Sequence, residues 1–129
     1  IDNQEYSFTP GKGKKYVVLD FWGSWCAPCI AGFPKMKEIY ANYKDKLEII
    51  GIACNDTEAK WRKAIDKHDL KWVNLLNQDN DINKDVSVMY AVEVFPTKII
   101  ISPDGKIYNI FNGEGDDFYD SLNDLLKNL

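Results

Sequence analysis

Apolar residues fall along this chain as short continuous runs separated by helically spaced stripes. Tyr16 to Trp22 (YVVLDFW) and Leu47 to Ala53 (LEIIGIA) are nearly unbroken apolar runs rich in β-formers. Such runs predict strands buried on both faces, as in a parallel sheet. Between them Ile30, Phe33, Met36, Ile39, Tyr40 and Tyr43 recur at helical spacing and predict a helix from about Ala27 to Tyr43. Thr57 to His68 reads as another helix, with Asp56 or Thr57 as its cap. Trp72 to Leu76 predicts a short strand and Ile82 to Ala91 a weaker helix. Thr97 to Ile101 (TKIII) predicts a strand, Pro103-Asp104-Gly105 a turn, and Lys106 to Phe111 the returning strand of a hairpin. Asp116 to Lys127 predicts a closing amphipathic helix, with Phe118, Leu122, Leu125 and Leu126 on one face. Residues 1–15 are polar, end in GKGKK, and predict a short edge strand or loose arm followed by a turn.

Strands alternating with helices imply a parallel portion, and the late hairpin adds antiparallel strands. The expected fold class is therefore α/β: a central mixed sheet with helices on both faces. With 129 residues and 45% apolar residues the chain suits a single domain spanning residues 1–129. The net charge of -4 argues against nucleic acid as a partner, which would normally meet a basic face. No run of about 18 apolar residues offers a membrane span. The chain begins at Ile1 and shows no signal peptide, so a processed or trimmed piece of a longer protein is expected.

The chemistry concentrates in Trp25 to Pro34, WCAPCIAGFP, where Cys26 and Cys29 lie three apart. A strand ends at Trp22 and a helix begins near Cys26, so the first cysteine meets the free N–H groups and partial positive charge of a helix start. A thiolate there is stabilised and its pKa falls. Cys26 is expected at the exposed start of the helix, with Cys29 almost one turn further in and more buried. Cys26 can then attack a disulfide, and Cys29 can resolve the mixed disulfide. Pro28 loses nothing by lacking an N–H in the first turn, and with Ala27 it completes a stiff connection between the sulfurs. As a static staple the pair would close a very small loop, where the entropic gain is least. A structural zinc site wants four ligands, and only Cys54 and the single His68 remain to help. The expected metal and cofactor content is none.

DFWGSWCAPC resembles the active-site segment of the thioredoxin superfamily, a Trp-Cys-x-Pro-Cys motif after a strand carrying Asp-Phe-Trp. The resemblance runs from about Tyr16 to Leu129. Pro34, eight residues after Cys26, matches the proline that kinks the family's first long helix; it cannot donate to the carbonyl of Ile30. Val94 to Thr97 (VFPT) matches the segment holding the family's cis-proline, here Pro96, and Gly113 fits the glycine near the last helix. The long segment from Asn55 to Val94 looks more like the TlpA and ResA group of bacterial-envelope oxidoreductases than plain thioredoxin. The resemblance implies a thioredoxin-like fold and a thiol–disulfide oxidoreductase. Such an enzyme would reduce protein disulfides through Cys26 and Cys29 and be re-reduced by an upstream thiol electron donor. It implies a place in the cell envelope or periplasm, with the cytoplasm not excluded; a monomer is expected.

Asp20, inside the apolar strand, matches the family's buried aspartate; burial should raise its pKa and suit it to take the proton of Cys29. The lysine that often accompanies it in the next strand falls at Gly51. The glutamate that ResA-like proteins often carry three residues after the second cysteine falls at Gly32. Acid chemistry is therefore expected to rest on Asp20. Trp25, Phe95 and Pro96 are expected to form the substrate contact surface, with the Phe95 backbone pairing to an extended peptide. Trp22 is expected in the core and Cys54 as a buried inert thiol at a strand end. His68 is expected near a helix end, solvated or compensating the dipole. The acidic residues Asp79, Asp81, Asp85, Asp116 and Asp117 are expected to do no more than solvate the surface. Two other functions fit less of the sequence: a redox-sensing or partner-binding module without turnover, and a peroxiredoxin-like peroxidase.

Overall fold

The computed structural model describes residues 15–77 and 92–129. Five strands and four helices are present among them: β1 Tyr16–Trp22, α1 Ala27–Ala31, α2 Phe33–Asn42, β2 Leu47–Cys54, α3 Glu58–His68, β3 Val73–Asn77, β4 Thr97–Ile101, β5 Ile107–Asn112 and α4 Asp116–Lys127. The expected N-terminal arm over residues 1–15, except Lys15, the helix at Ile82 to Ala91, and Asp79, Asp81 and Asp85 lie outside the described residues.

The strand order is β3-β2-β1-β4-β5. β1 pairs parallel with β2, and β2 parallel with β3. β4 runs antiparallel to β1 and β5 antiparallel to β4. The sheet is thus mixed, with β1 at its centre. Alternation along β1 divides the core in two. Val18 and Trp22 face one cluster, which also takes Cys26, Cys29, Phe33, Met36, Trp61, Phe118 and Leu122. Val17, Leu19 and Phe21 face the other, with Ile50, Ile52, Ile99 and Ile101. All four described helices contribute to the first cluster.

The single helix expected over residues 27–43 is two. The ladder breaks at Gly32, two residues before Pro34, because the missing N–H of Pro34 leaves a turn that cannot close. Gly32 N–H is shared between the carbonyls of Pro28 and Cys29, at 3.3 Å each, and Met36 N–H resumes the ladder to Gly32 O at 3.2 Å. Thr57, rather than Asp56, caps α3, its hydroxyl accepting from Lys60 N–H at 3.3 Å.

One row across the first face breaks the apolar pattern. The register aligns Asn74, Gly51, Asp20, Lys98 and Phe111 on β3, β2, β1, β4 and β5 in turn. Asp20, Lys98 and Asn74 are all buried. Buried polar groups need partners, and buried charges need opposite ones, so this row is where the fold has been committed to something besides packing.

Candidate active site

β1 ends at Trp22 and the chain turns through Gly23, Ser24 and Trp25 into α1. Two contacts fix that turn. Cys26 N–H donates to Gly23 O at 3.0 Å. Asp56, in the loop after β2, accepts from both Ser24 N–H and the Ser24 hydroxyl at 2.7 Å each. These are hydrogen bonds to a carboxylate, the stronger kind. The carboxyl ends of two parallel strands are thereby tied together beneath the cysteines.

Cys26 is the N-cap of α1, and Cys29 N–H donates to its sulfur at 3.3 Å. The two cysteines form a disulfide across Cα atoms 5.3 Å apart. Cys26 is 4% exposed and Cys29 2%. The expected contrast between an exposed and a buried sulfur is thus small, because in the oxidised pair Cys26 turns its sulfur inward to Cys29. Pro28 stands in the first turn of α1, and Ala27 and Pro28 face solvent.

Trp25 is half-exposed, and its indole N–H donates to the carbonyl of Cys54 at 2.9 Å. Its ring meets that of Phe95 edge-on, centroids 5.4 Å apart. The Phe95–Pro96 peptide bond is cis, and Pro96 O accepts from Gly113 N–H at 2.7 Å. Trp25 and the Phe95–Pro96 turn therefore form one surface at the end of the sheet where the cysteines lie. Trp22 is fully buried, packed edge-on against Phe33 at 5.2 Å. Cys54 is buried at the end of β2, its sulfur near Ile52 O and the Asn77 amide. His68 is the last residue of α3; burial, then Lys67 and Lys37, push its pKa down, away from the charged form that would answer the helix dipole.

Asp20 is 1% exposed, and burial raises its pKa above the ordinary carboxylate value, with Lys98 pulling it down and Glu114 pushing it up. Gly51 is indeed its partner on β2, and a side chain there would be crowded. A Cβ on Gly51 would stand 3.2 Å from the indole nitrogens of both Trp22 and Trp72. The cation comes from the opposite side. Lys98 of β4, its side chain 3% exposed, places its ammonium 3.7 Å from Asp20 Oδ1 and 3.3 Å from Glu114 Oε1. Glu114 in turn accepts from the Tyr119 hydroxyl at 2.5 Å. Sequence reasoning missed Lys98, Glu114, Tyr119 and the Ser24–Asp56 tie. Only Lys98 carried a visible signal: a lysine inside an apolar strand, the same anomaly that singled out Asp20.

Residues 13–107 match a family model described as thioredoxin-like. The chain is 38% identical to the thiol-disulfide oxidoreductase ResA of Oceanobacillus iheyensis, over 80% of this chain and 50% of that protein. It is 34% identical to the ResA of Bacillus thuringiensis subsp. konkukian, over 88% of this chain and 64% of the relative. It therefore spans between half and just under two-thirds of these curated relatives. A solved thioredoxin domain of a thiol-disulfide oxidoreductase from Bacteroides vulgatus superposes with a TM-score of 0.77 at 32% identity, covering 88% of this chain and 81% of that one. The paired cysteines at the strand-to-helix turn, the mixed sheet beneath them and the family match agree, and the chain belongs to the thioredoxin-like family.

Proposed function

We propose that this chain is a thiol–disulfide oxidoreductase that reduces disulfides in protein substrates. The observation that carries the reading is the Cys26–Cys29 disulfide at the start of α1, with the Cys29 N–H already directed at the Cys26 sulfur. Once the pair is reduced, that N–H supports a Cys26 thiolate, the nucleophilic form. The thiolate attacks the substrate disulfide; a Cys26–substrate S–S bond forms, the substrate S–S bond breaks, and the departing sulfur takes a proton from water. Cys29 then gives its proton to the Asp20 carboxylate, directly or through water, and attacks the Cys26 sulfur. The second substrate sulfur leaves as a thiolate, and two electrons have passed from the protein dithiol to the substrate. A thiol electron donor restores the dithiol by the reverse exchange.

The surface made by Trp25, Phe95 and Pro96 supports docking of an extended substrate segment, its main chain pairing beside Phe95. The net reducing direction rests on Ala-Pro between the cysteines, close to the Gly-Pro of reducing thioredoxins. A cell-envelope location rests on kinship with the ResA group.

The test is the reduction potential of the pair, followed by tryptophan fluorescence in thiol–disulfide buffers, together with a Cys29→Ser variant. The expected potential lies near the reducing end, about -270 mV, and the variant should accumulate mixed disulfides through Cys26. A transition near about -120 mV would overturn the reducing direction. Absence of any reversible two-electron transition, with no trapped partner, would leave a passive binding module instead.

A further inference from the structure

The exchange written above uses one carboxylate, yet two flank Lys98. Glu114 leaves the loop between β5 and α4 and brings Oε1 to 3.3 Å from the Lys98 ammonium. Its other oxygen accepts from Tyr119, whose hydroxyl also lies 3.3 Å from Gly32 O. A hydroxyl has one hydrogen to give, and the 2.5 Å contact to Glu114 takes it. The place that Glu114 occupies is open only because Gly32 lacks a side chain. A Cβ there would stand 2.8 Å and 2.9 Å from the two Glu114 oxygens and 2.4 Å from the Tyr119 hydroxyl. Gly32 ends the segment that carries Cys29. A carboxylate from the far end of the chain thus sits against the cysteine helix.

Among the described residues, the charged groups facing Asp20 are few. β4 brings Lys98, the loop before α4 brings Glu114, and β2 brings the uncharged Gly51. Tyr119 of α4 and Lys35 of α2 lie beyond Glu114; Lys35 is already bound to Asp116 at 2.8 Å and stands over the Tyr119 ring. One ammonium therefore serves two carboxylates. The Glu114 side chain is 23% exposed and can share its charge with water. Asp20 cannot, so a proton entering the cluster goes to Asp20 rather than to Glu114.

We propose that Glu114 is a positioning residue for the dithiol chemistry: it holds Lys98 away from full pairing with Asp20, so that Asp20 binds and releases the proton exchanged with Cys29. Without Glu114 the ammonium would serve Asp20 alone. The carboxylate would then be a poorer base for the Cys29 thiol.

This inference rests on the exchange proposed above. The experiment mixes the reduced 129-residue chain with a disulfide-linked fluorogenic peptide and follows the resolving step by stopped flow from about pH 4 to 9. Dithiol-dependent cleavage by the unaltered chain tests the exchange itself, and its absence would overturn that reading before Glu114 is reached. In Glu114→Gln the limb of the profile governed by Asp20 should move to lower pH. Asp20→Asn should abolish that limb. Glu114→Asp, which keeps the charge, should bring the limb back toward its original place. Tyr119→Phe, which frees Glu114 without removing it, should move the limb in the same direction by less, and serves if Glu114→Gln folds poorly. A limb that stays in place in Glu114→Gln, or that moves equally in Glu114→Asp, would overturn the proposal.

Discussion

Replacing Lys98 by methionine removes the cation from the buried row while keeping most of the side-chain volume. The ammonium lies 3.7 Å from Asp20 Oδ1, and both side chains are almost wholly buried, at 3% and 2% exposure. At an effective dielectric constant of about 20, Coulomb's law makes that attraction worth about 4 kcal/mol. Breaking one side of a buried pair costs about 3–5 kcal/mol by a separate route, so the two agree. Glu114, whose side chain is 23% exposed, loses less than Asp20 when the cation goes, because water can take over part of its charge. The loss should depend on pH. Burial already raises the Asp20 pKa, and Lys98 is the largest influence lowering it. Without Lys98 the folded-state pKa rises further above the unfolded value of about 3.9. A raised folded-state pKa contributes stability that is complete below the unfolded value and lost as pH climbs through the folded one. Lys98→Met should therefore unfold almost like the unaltered chain near pH 4. It should fall behind by about 3–5 kcal/mol toward pH 9. Urea titrations of the oxidised protein across that range, read by tryptophan fluorescence, measure the gap. A deficit of equal size at both ends would refute the reasoning, since a packing defect does not titrate.

Two further substitutions probe how the site is held. Asp56→Ala removes both 2.7 Å bonds to Ser24 and should cost about 2–4 kcal/mol in a urea melt; slower exchange with a disulfide peptide should accompany it, because the turn before Cys26 loosens. Gly32→Ala drives a methyl to 2.4 Å from the Tyr119 hydroxyl. Glu114 can swing away, but Tyr119 is buried in the core. Thermal unfolding should therefore show a loss of about 1–3 kcal/mol, and the pH profile of exchange should move as it does in Glu114→Gln.

The strands were legible because burial on both faces writes itself into the sequence as continuous apolar runs. β1 and β4 fall where the pattern puts them, β2 runs one residue further to Cys54, and β3 and β5 are each shifted by one residue. β5 was legible for a different reason. Ile107, Tyr108 and Ile110 are exposed, so the turn at Pro103-Asp104-Gly105, not burial, announced it. The break at Gly32 was hidden because Ile30, Phe33 and Met36 keep helical spacing straight through it. Pro34 marked the disturbance, but the effect of a missing donor is felt by the turn before the proline rather than at the ring.

The site was legible as far as its chemistry is local. Cys26, Cys29 and their strand-to-helix setting lie within a few residues of one another, and their pairing needs no long-range information. The charges around them do not obey sequence order. The family's lysine would fall one strand ahead of Asp20, at Gly51, where two indoles crowd any added side chain. The cation is supplied instead by the strand on the other side, through an antiparallel register that aligns Asp20 with Lys98 and that no local pattern encodes. A physical rule could still have found it: a carboxylate in an apolar strand demands an opposite charge from some equally improbable place, and Lys98 is the described lysine that lies inside a strand. The same rule does not reach Glu114. A loop residue in the stretch Gly113 to Asp117 shows no sign of burial, and its position becomes readable only as the filling of a space that Gly32 leaves empty. Compensation of this kind is a property of volume rather than of spacing. A motif that lacks an expected acid therefore does not license the conclusion that its site lacks one.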